Sequence, residues 1–448
     1  MSDIRNVPAT GADSGRRSRR PWAAAAVAGA LVALLSGASA VTANSAGGGP
    51  AADGRSPAVR ACDVPQPGEA ACLAEVLPGS APGSRTQAPA GYGPADLRSA
   101  YGLTAAVRAG AGKGRTVAIV DAFDAPTVEA DLAVYRSTYG LPPCTTDNGC
   151  FRKVNQRGDT APLPQPDAGW GVEISLDVQA VSALCPSCDI LLVESDNANW
   201  DNLADGVDTA VRLGATTVSN SYGGPESDVT DNRSHGTGPD PVRAASYNHP
   251  GVPIVAAAGD AGFQLDALYP ATLSTVTAVG GTTLKKSDTA RGWSETAWAT
   301  NYKGGAAGAG CSAHVAKPAW QHDRDCPNRT LTDISAVADP VTGLAVYDSI
   351  RDPNGPPAGW MKVGGTSASA PLVAAMYALA GHTEDVRDAS RLYAHRDRLN
   401  DISGGSVSVP HSGQECPASS YLCTALRGYD GPTGLGTPDG LGAFAPVR

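Results

Sequence analysis

Apolar runs alternate along the chain with stretches whose apolar positions recur every three to four residues. TVAIVDAF (116–123), DILLVES (189–195), ATTVSNSYG (215–223), VPIVAAAG (252–259) and TVTAVGG (275–281) read as buried strands. Residues 171–184 and NLADGVDTAVRLG (202–214) carry the helical period. Apolar strands separated by helices predict an α/β fold with a central, mostly parallel sheet flanked by helices on both faces. In such sheets, sites gather at the carboxyl ends of strands. Order is expected to begin near GYGPADLRSAYGL (91–103). The Ala-, Gly-, Pro- and Ser-rich residues 41–90 read as a linker or short pro-segment, and 91–448 as one folded domain.

Composition adds limits. The 448 residues are 42% hydrophobic and 17% charged, a globular balance. Net charge is -10 with no basic block after residue 40, which argues against nucleic acid as a partner.

At the amino end, Arg16, Arg17, Arg19 and Arg20 precede PWAAAAVAGALVALLSGASA, which ends near Ala40. A basic region, an apolar run rich in Ala and Gly, and a small-residue end describe a cleaved export signal over 1–40. The competing reading is a membrane anchor. Ten cysteines fit an oxidising compartment. They lie as close neighbours: Cys62 and Cys72, Cys144 and Cys150, Cys185 and Cys188, Cys311 and Cys326, Cys416 and Cys423. Pairing in sequence order is the simplest framework, although spacing alone leaves connectivity open. CPSC (185–188) also allows a redox or metal reading.

VGGTSASAP (363–371) puts Ser367 where a loop becomes an apolar helix. An N-cap explains that position, and so does a nucleophile at a helix N-terminus. A serine nucleophile needs a base. Of seven histidines, only His235, in His-Gly-Thr, has a suggestive context; with Asp121 it would give a triad in the order Asp, His, Ser. Its place after SNSYGG, in a loop-like stretch, does not suit that role. Glu173 and Asp177 in GVEISLDVQ are four apart and share a helix face. They are either two solvated acids or a pair sharing a proton, with Glu173 as base. Asp260 in VAAAGDAGF sits in a turn at a strand end, where a protonated carboxyl can donate to an oxyanion.

With those residues in place, the chain resembles the sedolisins, or serine-carboxyl peptidases, over roughly residues 91–445. GYGPADLRSAYG, GVEISLDVQ, SNSYGG, VAAAGDAGF, YPATLSTVTAVGGT, WSETAW, DISAVADPVTG, GGTSASAP, NDISGG and GYDGPTGLGTP occur in order. The resemblance implies a subtilisin-like fold and an acyl-enzyme, with Ser367 as nucleophile and Glu173 as general base. Asp177 would orient and polarise Glu173, and Asp260 would stabilise the oxyanion. It also implies a calcium ion (Ca2+) held by the side chains of Asp401 and Asp430 and the carbonyls of Ile402, Leu426 and Gly428. Such hard oxygen donors suit calcium.

Two features depart from the family's pattern. Gly364 stands where a serine usual in the nucleophile turn would be, and Leu426 where glycine is usual. Only about 45 residues separate the signal from the catalytic start, too few for the family's folded pro-domain. The expectation is a secreted, monomeric endopeptidase acting on protein or peptide substrates at acidic pH, with no membrane association once the signal is removed. The alternatives are a tripeptidyl exopeptidase and a non-catalytic binding protein on the same fold.

Overall fold

The computed structural model describes residues 58–78, 89–230, 239–299, 305–351, 358–408, 416 and 420–446. The export signal read over 1–40 and His235 lie outside the described residues.

The central sheet has eight strands. From one edge the order is Trp293–Ala297, Val276–Lys286, Ile254–Ala257, Thr217–Asn220, Thr116–Ala122, Asp189–Ser195 and Phe151–Asn155, with Ile334–Val337 also paired to Val276–Lys286. All neighbours run parallel except Trp293–Ala297. This is a subtilisin-like α/β fold.

Both faces of the sheet are buried, which explains the unbroken apolar runs. Val117, Ile119, Ile190, Leu192, Val255 and Ala257 point into one core. Their neighbours Ala118, Val120, Leu191, Val193 and Ala256 point into the other. The first core is covered by helices Ala168–Leu184 and Thr366–Ala380, which pack on each other. Both are apolar nearly all round, as helices enclosed by the protein must be. The amphipathic helix Trp200–Arg212 covers the second face.

Two elements differ from the sequence expectation. ATTVSNSYG is not one strand. Thr217–Asn220 stays in the central sheet, while Tyr222–Pro225 pairs antiparallel with Leu268–Tyr269 and Ala71–Cys72 in a separate sheet. The break falls at Ser221, whose backbone and hydroxyl turn inward. Order also begins ahead of Gly91. Val59–Arg60, Ala71–Cys72 and Glu75–Val76 are short strands, the last paired with Gly359–Gly364.

The five disulfides join sequence neighbours as expected: Cys62–Cys72, Cys144–Cys150, Cys185–Cys188, Cys311–Cys326 and Cys416–Cys423. CPSC is therefore a bridge following a helix, neither a metal ligand set nor a free thiol pair. Among the described residues, no helix is long and apolar enough to cross a membrane.

Candidate active site

Two buried helices and three strand ends build the site. Asp167 caps the helix Ala168–Leu184 by accepting from the amide of Trp170. Glu173 and Asp177 follow on this helix, both wholly buried, so neither is a solvated surface acid. Gly365 begins the second helix with φ +93°, a conformation open to glycine and strained for other residues. Ser367 lies in the first turn of that helix, also buried.

The Ser367 hydroxyl donates to Glu173 Oε2 at 2.8 Å, with the carbonyl of Ser221 an alternative acceptor at 3.2 Å. Ser221 Oγ donates to Asp177 Oδ1 at 2.9 Å. Asp177 therefore reaches the serine through Ser221. No direct hydrogen bond joins Asp177 and Glu173 among the described residues. Ser221 stands in the SNSYGG motif, but its hydroxyl bridge was not foreseen from sequence.

A third acid completes the group. Asp121, at the carboxyl end of Thr116–Ala122, is wholly buried, and neither of its carboxyl oxygens has a hydrogen-bond partner. Burial pushes its pKa up to about 8. Burial and then the charge of Asp121 hold Glu173 well above the usual carboxyl range. Asp177 is raised by burial, by Asp121 and by Glu173. Three acids enclosed together cannot all ionise, so the cluster retains protons. Sequence reading paired Asp121 only with His235, and its position at a strand end was the available signal.

Asp260 stands on the other side of Ser367. Its Oδ1 accepts from the amide and hydroxyl of Thr366, at 2.8 and 2.7 Å. Its Oδ2 is buried without a partner. Burial raises its pKa to about 6, against the pull of the two Thr366 bonds. When protonated, the acid can carry its hydrogen on Oδ2 and donate it into the site.

Among the residues expected to hold calcium, Asp401 meets Gly428 and Asp430 meets Leu426. Asp401 accepts from the amide of Gly428 through both oxygens, at 3.0 and 3.1 Å. Asp430, fully buried, accepts from Leu426 N at 3.0 Å and from Thr433 N and Oγ1, each at 2.9 Å. Leu426 extends its side chain toward solvent, so the turn accommodates it in place of glycine. Among the described residues, no group of three or more His, Cys, Asp or Glu side chains is placed to hold a metal.

Residues 167–386, which carry Glu173, Asp177, Asp260 and Ser367, match the model of the subtilase family, Peptidase_S8. This is a serine-type peptidase. Its substrates are accordingly proteins or peptides. Among solved structures, Pseudomonas sedolisin, a serine-carboxyl proteinase complexed with two molecules of pseudo-iodotyrostatin, is similar. The TM-score is 0.63 at 22% identity, over 79% of this chain and 96% of that one. Fervidolysin from Fervidobacterium pennivorans, a keratinolytic enzyme related to subtilisin, has a TM-score of 0.45 at 14% identity, over 79% of this chain and 46% of that one. No curated protein matches the chain in sequence.

Proposed function

We propose that the protein is a secreted serine-carboxyl peptidase of the sedolisin type, an endopeptidase most active at acidic pH. The observation that carries this reading is the 2.8 Å bond from Ser367 Oγ to Glu173 Oε2. It puts a carboxylate where a general base must stand, within direct reach of the proton it removes.

Ser367 Oγ attacks the peptide carbonyl as Glu173 takes its proton. Asp177 holds the serine through Ser221, and the charge of Asp121 raises the pKa of Glu173. Protonated Asp260 donates from Oδ2 to the developing oxyanion. Glu173 returns the proton to the leaving amine, and water then hydrolyses the acyl-enzyme by the same route. An endopeptidase is supported by the path of residues 69–77, which cross the site with chain on both sides of Ser367. Ten cysteines, all disulfide-bonded, support an extracellular location.

Calcium belongs to the same reading. Asp401 and Asp430 supply carboxylates, and no donor among the described residues is bonded to the carbonyls of Ile402, Leu426 or Gly428. This set of oxygens fits a hard divalent cation. Bound there, Ca2+ would neutralise both acids and tie residue 401 to the 426–430 turn.

Hydrolysis of a fluorogenic peptide library between pH 3 and 8, with Ser367→Ala as control, tests the proposal. Internal cleavage at acidic pH by the unaltered protein alone is expected. Activity retained in Ser367→Ala would overturn it, and release of amino-terminal tripeptides alone would replace endopeptidase with exopeptidase.

A further inference from the structure

We propose that the cavity walled by Trp320, Tyr393, Tyr421 and Tyr429 is a binding site, separate from the catalytic group, for the carboxyl terminus of a peptide that ends in an aromatic residue. The inference deepens the peptidase reading by giving its peptides a second contact, and rests on that reading only for the source of the ligand.

Three parts of the chain meet at this cavity. Residues 320–325 lie between the strands Ala306–Ala316 and Asn328–Thr330. Tyr393 stands on the short helix Ser390–Ala394, and Tyr421 and Tyr429 come from the carboxyl-terminal part of the chain. The enclosed volume is about 720 Å³. Pockets for small ligands run to roughly 300–1,000 Å³. None of Glu173, Asp177, Ser221, Asp260 or Ser367 lines it.

The four rings form a continuous wall. Ring centroids lie 4.6 Å apart from Trp320 to Tyr393, 6.1 Å from Tyr393 to Tyr429 and 6.4 Å from Tyr429 to Tyr421. Every polar atom on these rings is already committed to the protein. Trp320 Nε1 donates to Asp388 Oδ2 at 3.2 Å. The hydroxyl of Tyr393 donates to Asp333 Oδ1 at 3.0 Å, that of Tyr429 to the Thr332 carbonyl at 2.9 Å, and that of Tyr421 to Asp323 Oδ2 at 2.7 Å. Gln321 Nε2 donates to the hydroxyls of Tyr393 and Tyr429, at 3.2 and 3.3 Å. The rings are thus pinned by their polar ends, and all four remain half-buried, so carbon surface is what they offer. A wall held in this way loses little freedom when it binds. Its natural guest is another aromatic ring, set edge-on or offset against it.

The charges supply the second half of the ligand. Arg324, Arg396 and Arg427 line the same cavity, all exposed. Among the described residues, none of their guanidinium groups has an ion-pair or hydrogen-bond partner. Two acids stand against them. The side chain of Asp323 is 3% exposed and is paired with Lys317 Nζ at 2.7 Å, which leaves Asp325 as the free carboxylate. His322 adds no negative charge. Three free guanidinium groups to one free carboxylate is a local excess of positive charge in a chain of net charge -10. A guanidinium donates and never accepts, and its fork matches a carboxylate with two parallel bonds. A neutral sugar would bring several hydroxyl donors to a wall whose acceptors are already occupied. The last residue of a peptide ending in phenylalanine, tyrosine or tryptophan carries a ring and a carboxylate on one Cα. It meets both features of the cavity at once.

The test is calorimetric titration of the full chain carrying Ser367→Ala, which keeps the peptide from being consumed. At pH 5.5 an α-carboxyl, with a pKa of about 3.3–3.7, is ionised. A short peptide ending in phenylalanine should bind as the free acid. Its carboxamide, and the same peptide ending in alanine, should each bind at least ~10-fold more weakly. Arg324→Ala and Arg396→Ala together should weaken the free acid to a similar degree. Both arginines are exposed and stand apart from the 426–430 turn, and an equal melting temperature checks that the fold is intact. In a chain that retains Ser367, the same pair of substitutions should leave hydrolysis of a fluorogenic peptide with a blocked carboxyl end unchanged. Equal binding of acid and carboxamide, or full affinity in the double arginine variant, would overturn the inference. So would no binding at all, or tighter binding of adenosine monophosphate, which would make this a nucleotide site. Equal binding of 3-phenylpropionate would overturn the peptide as ligand. Failed binding with hydrolysis intact leaves the peptidase reading standing, and binding by a chain that hydrolyses nothing removes that reading and keeps this site.

Discussion

Glu173 Oε2 receives the hydroxyl of Ser367 at 2.8 Å, and the two residues come from helices that pack against each other under the sheet. The same oxygen also accepts from the amides of Leu73 and Ala74, at 2.9 and 2.8 Å. One carboxyl oxygen thus faces the proposed nucleophile and the backbone of residues 73–74 together. A base in that position serves both proton transfers of acyl transfer, from the serine and to the amine.

Removal of either partner should therefore abolish most activity. Ser367→Ala and Glu173→Ala are each expected to lower kcat on the order of 10⁴-fold or more, and the double variant should lose little beyond the worse single one. Steady-state kinetics on one peptide at pH 4 checks this. Near-native turnover in Glu173→Ala would remove the carboxyl base.

Asp260 is expected to set the pH limit. Burial brings its pKa to about 6, and the acid must be protonated to donate from Oδ2. Above that value an anion faces the oxyanion, so activity should fall as pH rises through 6. Asp260→Asn keeps an acceptor for Thr366 and a donor toward the site, with no proton to lose. It should keep part of the activity and lose part of the decline above pH 6. A pH–rate profile of the two proteins decides the matter, and an unchanged decline in Asp260→Asn would place the titration on the Asp121, Glu173 and Asp177 cluster.

The main elements were legible because burial on both faces leaves an unmistakable apolar run, as in Asp189–Ser195, which the sequence reading matched residue for residue. Glu173 and Asp177 were legible as a pair because helical geometry alone puts residues four apart on one face. What the chain did not disclose depends on distant contacts. Ala71–Cys72 and Glu75–Val76 are two residues each, too short for any period, and their partners are Tyr222–Pro225 and Gly359–Gly364. Ser221 was hidden inside an apparent strand because its break is imposed by Asp177 and Ser367, not by a Gly or Pro signal. Asp121 looked like any acid at a strand end until the fold enclosed it beside Glu173.

Gly365 offers a test of the carbonyl's position. Its φ of +93° strains any other residue, and a Cβ there would fall 1.9 Å from the Leu73 oxygen. Gly365→Ala should cost on the order of 1–3 kcal/mol in stability from the backbone. It should lower kcat/KM far more than that strain explains, by roughly 10²-fold or more, because the peptide carbonyl is kept from its donors. Melting temperature and kinetics measured together separate the effects. A folded variant with near-native kcat/KM would show that the carbonyl does not use this space.

Calcium should appear as stability. Asp401 meets the 426–430 turn, which carries Asp430, from a distant part of the chain, so an ion binding only the folded state adds to the unfolding free energy. Chelation is expected to lower the melting temperature, and restored Ca2+ to raise it again. Asp401→Ala should melt lower and respond to neither. Metal analysis of washed protein with no calcium, and a melting temperature indifferent to chelator, would dismiss the ion.

Glu75 ties the docked segment to pH. Its carboxyl is buried beside Asp260, and burial, followed by the Asp260 charge, pushes its pKa up to about 8. Arg60 and the amide of Gly305 act in the opposite direction, and Asp339 adds a smaller upward push. Freed into solvent, a glutamate titrates near 4.3. The docked state therefore binds the proton more tightly than the free one. Its contribution to docking is fully present below about 4.3 and is lost as pH rises through 8. Asp260, at about 6, ionises within the same window and repels Glu75 further. The segment should grip most firmly in acid and loosen toward alkaline pH. Glu75→Gln removes this titration and keeps the shape. In the Ser367→Ala background, limited proteolysis of residues 58–78 by an added protease should speed up between pH 6 and 9. With Glu75→Gln added, most of that rise should vanish. Equal pH dependence in the two proteins would show that Glu75 does not govern release.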